Sequence, residues 1–113
     1  MARKQITPTK VEMARLPKLY ATEKTPCEEK LAVLKFFDPC GRGTWYAVEG
    51  QEEEGDLCLF GWVASPLGPD CDEWGYFSLN ELASVRNRLG LGIERDMHFR
   101  PTPIEKLIKL HGG

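Results

Sequence analysis

Four short runs rich in aromatic and β-branched residues follow one another along the chain: KLAVLKFFD (30–38), TWYAVEG (44–50), DLCLFGWVAS (56–65) and EWGYF (73–77). Strand-length apolar runs separated by Gly, Pro and acidic residues predict a small antiparallel sheet. KLAVLKFFD is broken only by Lys35, which suits a central strand covered on both faces, and Pro39, Gly41 and Gly43 supply the turn that ends it. GQEEEGD (50–56) reads as a hairpin loop with an acidic tip, and PLGPDCD (66–72) as a longer loop.

At Ser78 the period changes. Ser78 and Glu81 have capping-box spacing, which predicts a helix starting at Leu79. Leu79, Leu82, Val85 and Leu89 recur at helical spacing, and Gly90 is placed to close that helix. GIERDMHF (92–99) reads as a last strand, Pro101 and Pro103 end it, and IEKLIKLH (104–111) as a short amphipathic helix or tail. Near the start, Thr9 and Glu12 have the same capping spacing before Pro17 stops any helix. The expected fold is α+β: an antiparallel sheet of about four to five strands, a packed helix near residues 79–89, and short terminal helices. Residues 1–14 form a basic arm or short helix, 15–103 one globular domain, and 104–113 the terminal helix or tail.

A chain of 113 residues buries about two-thirds of its extended surface on folding, enough for one core. With 42% hydrophobic and 28% charged residues, a folded rather than a disordered chain is expected. No apolar run approaches the roughly 20 residues of a membrane span, and Met1–Lys10 lacks the apolar stretch of a secretory signal, so a cytoplasmic location is expected. Cys27, Cys40, Cys58 and Cys71 lie 13, 18 and 13 positions apart, without the close pairs of a zinc site, and read as free thiols. No cofactor is expected. The formal charge is +4 over residues 1–24, −9 over 25–81 and +3 over 82–113. Such a division suits either a surface that attracts a basic partner or ends that fold back onto the acidic middle, and the nearly cancelling totals favour the second.

Several residues invite a chemical reading. Glu94, Asp96 and His98 alternate on the expected last strand, so neighbours about 6.6 Å apart along one face could share a metal ion; a solvated face, with Arg95 pairing a nearby carboxylate, is the commoner arrangement. Glu49 shares strand parity with Trp45, and an aromatic wall beside it would raise its pKa toward general acid or base work, although no partner is placed beside it by sequence. Ser78 is occupied as a cap and no nucleophile elbow surrounds any serine. CGRGTW (40–45) lacks the Lys-Ser/Thr of a phosphate loop.

The aromatics are more informative. Trp45, Tyr46, Phe60, Trp62, Trp74, Tyr76 and Phe77 fall on neighbouring strands, and alternation prevents all of them from entering one core. An interaction surface built from Trp45, Tyr46, Glu49, Trp62, Trp74 and Tyr76 is therefore expected. Glu49, Glu52, Glu53, Glu54 and Asp56 rim it, which disfavours nucleic acid on this face, because base stacking needs interleaved cations for the phosphates. A nucleic-acid role would instead use Arg3, Lys4, Lys10, Arg15, Lys18, Arg86 and Arg88.

The blocks LPKLY (16–20), KFF (35–37), TWYAVE (44–49), FGWV (60–63), EWGYFSLNEL (73–82), LGLGIERD (89–96) and Phe99 together resemble the bacterial family called domain of unknown function 2958, over about residues 15–103. The resemblance implies a setting in plasmids and other mobile or integrated elements, and brings no activity or catalytic residues with it. The functional expectation is a noncatalytic protein-interaction module docking a protein partner through an acid-rimmed aromatic sheet face. The alternatives are a nucleic-acid accessory protein using the basic ends, and a small enzyme or metal protein centred on Glu49, Asp96 and His98.

Overall fold

A computed structural model describes residues 6–112. Its elements are α1 (Lys10–Arg15), β1 (Leu31–Ala32), β2 (Leu34–Phe37), β3 (Thr44–Glu53), β4 (Asp56–Ala64), β5 (Glu73–Ser78), α2 (Leu79–Ser84), β6 (Glu94–Arg95), β7 (Thr102–Pro103) and α3 (Ile104–Leu110). Five strands form an antiparallel sheet in the order β5-β4-β3-β2-β6, while β1 and β7 pair in a separate two-stranded ribbon. The fold is α+β, as expected. Among the described residues, no helix is long and apolar enough to cross a membrane.

Strand alternation divides the apolar residues between two faces. Leu34, Phe36, Trp45, Ala47, Leu57, Leu59 and Phe77 line the first, where Ile6, Leu16 and the α2 residues Leu79 and Leu82 cover them. The second carries Tyr46, Val48 and Trp62, covered by Ile104 and Leu107 of α3. Both termini thus contribute to the core. Glycine is required at Gly61, where a Cβ would stand 1.7 Å from the Tyr46 carbonyl oxygen.

Several local expectations change. The β3–β4 connection is a two-residue turn, with Glu54 and Gly55 both at positive φ (48° and 81°), so Gln51–Glu53 are strand rather than loop. KLAVLKFFD is not one central strand. It splits at Val33, β1 leaves for the β7 ribbon, and β3 is the sheet's middle strand.

The Ser78 cap forms, its hydroxyl accepting from the Glu81 amide at 3.2 Å, but α2 ends at Ser84 instead of near 89. The Asn87 side chain accepts from the Leu89 and Leu91 amides, closing a turn over residues 87–90 that competes with helix. Val85 is extended, Leu89 is exposed and Gly90 belongs to that turn. The complete capping box is at α1, where Thr9 accepts from the Glu12 amide and Glu12 from the Thr9 amide. GIERDMHF pairs in the sheet only at Glu94 and Arg95, because the chain turns at Met97–His98.

Candidate interaction surface

The surface begins with a register break. Tyr46 faces Trp62 and Ala47 faces Gly61, but the next aligned pair is Glu49 with Phe60, so Val48 is an extra, bulged residue. The bulge reverses strand parity. Glu49 consequently lies on the second face with Phe60, not on the Trp45 face that simple alternation predicts.

Beyond the bulge β3 has no strand on its β2 side, and the segment Leu16–Thr22 fills that place. Leu16 packs in the first-face core, the Gly50 amide donates to the Pro17 carbonyl at 2.8 Å, and the chain emerges on the second face. There Glu49, only 2% exposed, accepts from the amides of Tyr20 (2.8 Å) and Thr22 (3.1 Å) and from the Thr22 hydroxyl. Buried Lys30 stands 3.8 Å from the same carboxylate and donates to the Thr22 hydroxyl (2.8 Å) and carbonyl. Burying either charge alone is costly; together, with the remaining lone pairs bonded, they staple the loop to the sheet. The carboxylate is fully engaged in structure and no longer presents the open base expected of it.

The staple sets Tyr20, at φ 69°, against Tyr76. Their ring centroids are 6.4 Å apart; Tyr76 in turn lies 4.9 Å from Phe60, and Phe60 stacks on Trp74 at 5.8 Å. Tyr20, Tyr76, Phe60 and Trp74 form one aromatic ridge at the end of the second face that α3 leaves open. Tyr20 is 61% exposed and Tyr76 59%, while Phe60 and Trp74 are half-buried. Two hollows of about 270 Å³ flank it. One, beside Tyr76, is lined by Cys58, Ser78, Glu53 and Glu81; the other, beside Trp74, by Cys27, Ile108, Glu28 and Lys109.

The electrostatics agree with the geometry. Partial burial, then the negative charges of Glu53, Asp56, Glu81 and Glu52, push the Cys58 thiol above its ordinary pKa, which keeps it a poor nucleophile. Hydrogen bonding to Tyr20, desolvation and the charges of Glu49 and Glu23 raise the phenol of Tyr76. Among the described residues, the ion pairs are Lys30–Glu49, Lys35–Asp96, Arg42–Asp72, Arg95–Glu12 and Lys109–Glu105. None joins a cation of either basic end to an acid of the middle segment. The expected self-complementary folding-back of charge is therefore not seen in these ion pairs, and Glu53, Glu73 and Glu81 form no ion pair among the described residues.

Of the six residues expected on the surface, the structure brings only Trp74 and Tyr76 to it. Trp45 is buried on the opposite face; Tyr46 and Trp62 are buried beneath α3, where the Tyr46 hydroxyl meets His111 Nε2 at 2.9 Å. Burial, and secondarily Asp96, push the Tyr46 phenol up to about 12, while burial and the nearby cations Arg42 and Lys35 lower the pKa of His111, against the opposing pull of Asp72. Tyr20 and Phe60 take the vacated places. No alternation pattern places Tyr20, since it lies in a loop, whereas Phe60 sits in register with Tyr76 and belongs to the aromatic set already evident in the sequence.

Glu94, Asp96 and His98 do not share a strand face. Asp96 pairs with Lys35 at 3.8 Å and accepts from the His98 amide, and no cluster of three metal-ligating side chains occurs among the described residues. Arg95 pairs with Glu12 at 2.7 Å. Lys10, Arg15, Lys18, Arg86 and Arg88 are exposed; Arg86 donates to the Ala83 and Val85 carbonyls at the end of α2. Arg3 and Lys4 lie outside the described residues. A larger hollow, about 550 Å³ beside Asp38, Arg42 and Asn87, offers little free chemistry: Arg42 is bidentate to Asp72, and Asp38 accepts from Asn87 and the Cys40 amide.

The fold and this surface define a small α+β protein whose exposed end is aromatic and acidic. The chain belongs to the DUF2958 family, described as a protein of unknown function, whose family model matches residues 7–109. Comparisons with curated proteins and with solved structures return no match.

Proposed function

We propose that the chain is a noncatalytic protein-interaction module of a bacterial mobile or integrated element, acting in the cytoplasm and docking a basic protein partner on the Tyr20–Tyr76–Phe60–Trp74 ridge. The observation that carries this reading is the pair of exposed tyrosines beside the acids Glu53 and Glu81, which form no ion pair among the described residues. Exposed aromatics supply contact area at low entropic cost, and unpaired acids select a cationic partner. The engaged state of Glu49 and the raised pKa of Cys58 also favour binding over catalysis.

The test is affinity capture of the tagged protein from a bacterial host, with and without nuclease, alongside Tyr76→Ala and Glu53→Lys/Glu81→Lys variants. A nuclease-resistant protein partner lost from both variants is the expected result. Recovery only together with nucleic acid, unaffected by those variants, would overturn the reading and return the function to Lys10, Arg15, Lys18, Arg86 and Arg88.

A further inference from the structure

Among the described residues the sheet has three places where another strand could add; one is very short and one is occupied. The β6 edge is two residues long, and the free side of β3 beyond the bulge is occupied by the Pro17–Gly50 hydrogen bond. The third is the outer edge of β5, six residues with no strand on its far side. Among the described residues, no hydrogen bond from outside the sheet engages the backbone of Trp74–Phe77. Proteins generally shield so long an edge, because its unpaired amides and carbonyls form a template for another chain. Here nothing lies over a Cβ position at Gly75, and the second-face side chains of the same strand are Trp74 and Tyr76 of the aromatic ridge.

We infer that the outer edge of β5 receives an extended, lysine- or arginine-rich segment of a protein partner by strand addition. This inference rests on the docking function proposed above and names its mode. Backbone pairing to β5 supplies affinity without regard to sequence, and side chains on alternate positions supply selection. A residue over Tyr76 meets the hollow bearing Glu53 and Glu81, which suits a cation; one over Trp74 meets the Ile108 hollow, which suits an apolar side chain. Both project from the same side of the incoming strand, so the two residues stand an even number of positions apart. Glu73 at the start of β5 adds a further negative charge.

The probe is an end-blocked, fluorescein-labelled octapeptide of the repeat Lys-Thr-Leu-Thr, which sets a lysine and a leucine two positions apart on one side, compared with its fully N-methylated counterpart, which keeps the charges but lacks the amide donors for pairing. The full chain is expected to bind the first at least tenfold more tightly. Saturation should protect alternate β5 amides, those pointing away from β4, from hydrogen exchange. Equal affinity for the two peptides, or unchanged β5 exchange, overturns strand addition, yet leaves ridge docking standing if Tyr76→Ala still weakens binding tenfold. Absence of binding, or binding indifferent to both Tyr76→Ala and Glu53→Lys/Glu81→Lys in variants that keep the wild-type circular dichroism, overturns both.

Discussion

Both faces of the sheet carry an apolar cluster, the first face the larger one, but the two are finished differently. The first is covered by the N-terminal segment and α2, so that Phe36, Leu59 and Phe77 are buried. The second is covered by α3 at one end only, and past Phe60 its aromatics reach solvent. The two ends of this second face are also satisfied differently. Beneath α3 the Tyr46 hydroxyl is bonded to His111, whereas at the open end the exposed tyrosines have each other and a set of acids. The closed face accounts for the fold, and the open end is surface that folding by itself does not require.

If that contrast is right, substitutions on the closed face should cost the most stability. Phe36→Ala, at a fully buried position, should lose about 3–5 kcal/mol, through lost transfer energy and the cavity left behind. Chemical denaturation measures this, and a loss under about 1 kcal/mol would mean that the first face is not the organising core. Glu49→Ala comes next, at about 3 kcal/mol or more, because it leaves the Lys30 ammonium buried without its counter-charge. The double variant Glu49→Gln/Lys30→Met should recover part of that loss. No recovery would show that the hydrogen bonds to Tyr20 and Thr22, rather than the stranded charge, carry the cost.

The strand sequence and the start of α2 are legible from alternation and capping, because both arise from neighbouring residues. Ser78→Ala tests that local logic and should cost about 1 kcal/mol through the lost hydrogen bond to the Glu81 amide. An unchanged denaturation midpoint would remove the cap from the account. What the sequence conceals is non-local. The bulge at Val48 has no local signature, and it alone moves Glu49 from the face of Trp45 to that of Phe60. The early end of α2 depends on a turn organised by Asn87, which overrides the stripe running on to Leu89. The buried state of Trp45, Tyr46 and Trp62 depends on which face each cover chooses, and no spacing in the strands specifies that.

The covered end of the second face should be distinguished from the open end by pH. Unfolded His111 takes up a proton near pH 6.5, and in the folded protein its pKa is lower. Above about pH 6.5 the contribution is fully present; below it the unfolded chain binds more protons, so stability falls and levels off beneath the folded pKa. Tyr46 works in the other direction, its contribution being complete below its ordinary value of 10 and lost as pH rises toward about 12. Denaturation midpoints of the wild type and His111→Gln should converge between pH 7 and 5 as the wild type loses its advantage. Parallel curves would mean that His111 does not link α3 docking to protonation.

Tyr76→Ala should have the smallest effect on stability and the largest on recognition. The side chain is more than half exposed, its neighbours Tyr20 and Phe60 are held independently by the Glu49 staple and by β4, and its removal opens no internal cavity. Its denaturation midpoint should shift less than that of Ser78→Ala. Affinity for a basic partner should nevertheless fall about tenfold, as expected for an aromatic anchor at the centre of a docking surface. The ratio of the two effects is the informative quantity, since a core residue loses stability and binding together while a surface kept for recognition loses only binding. A Tyr76→Ala protein as destabilised as Phe36→Ala would erase the difference between the open and closed faces, and with it the reason for assigning the ridge a partner.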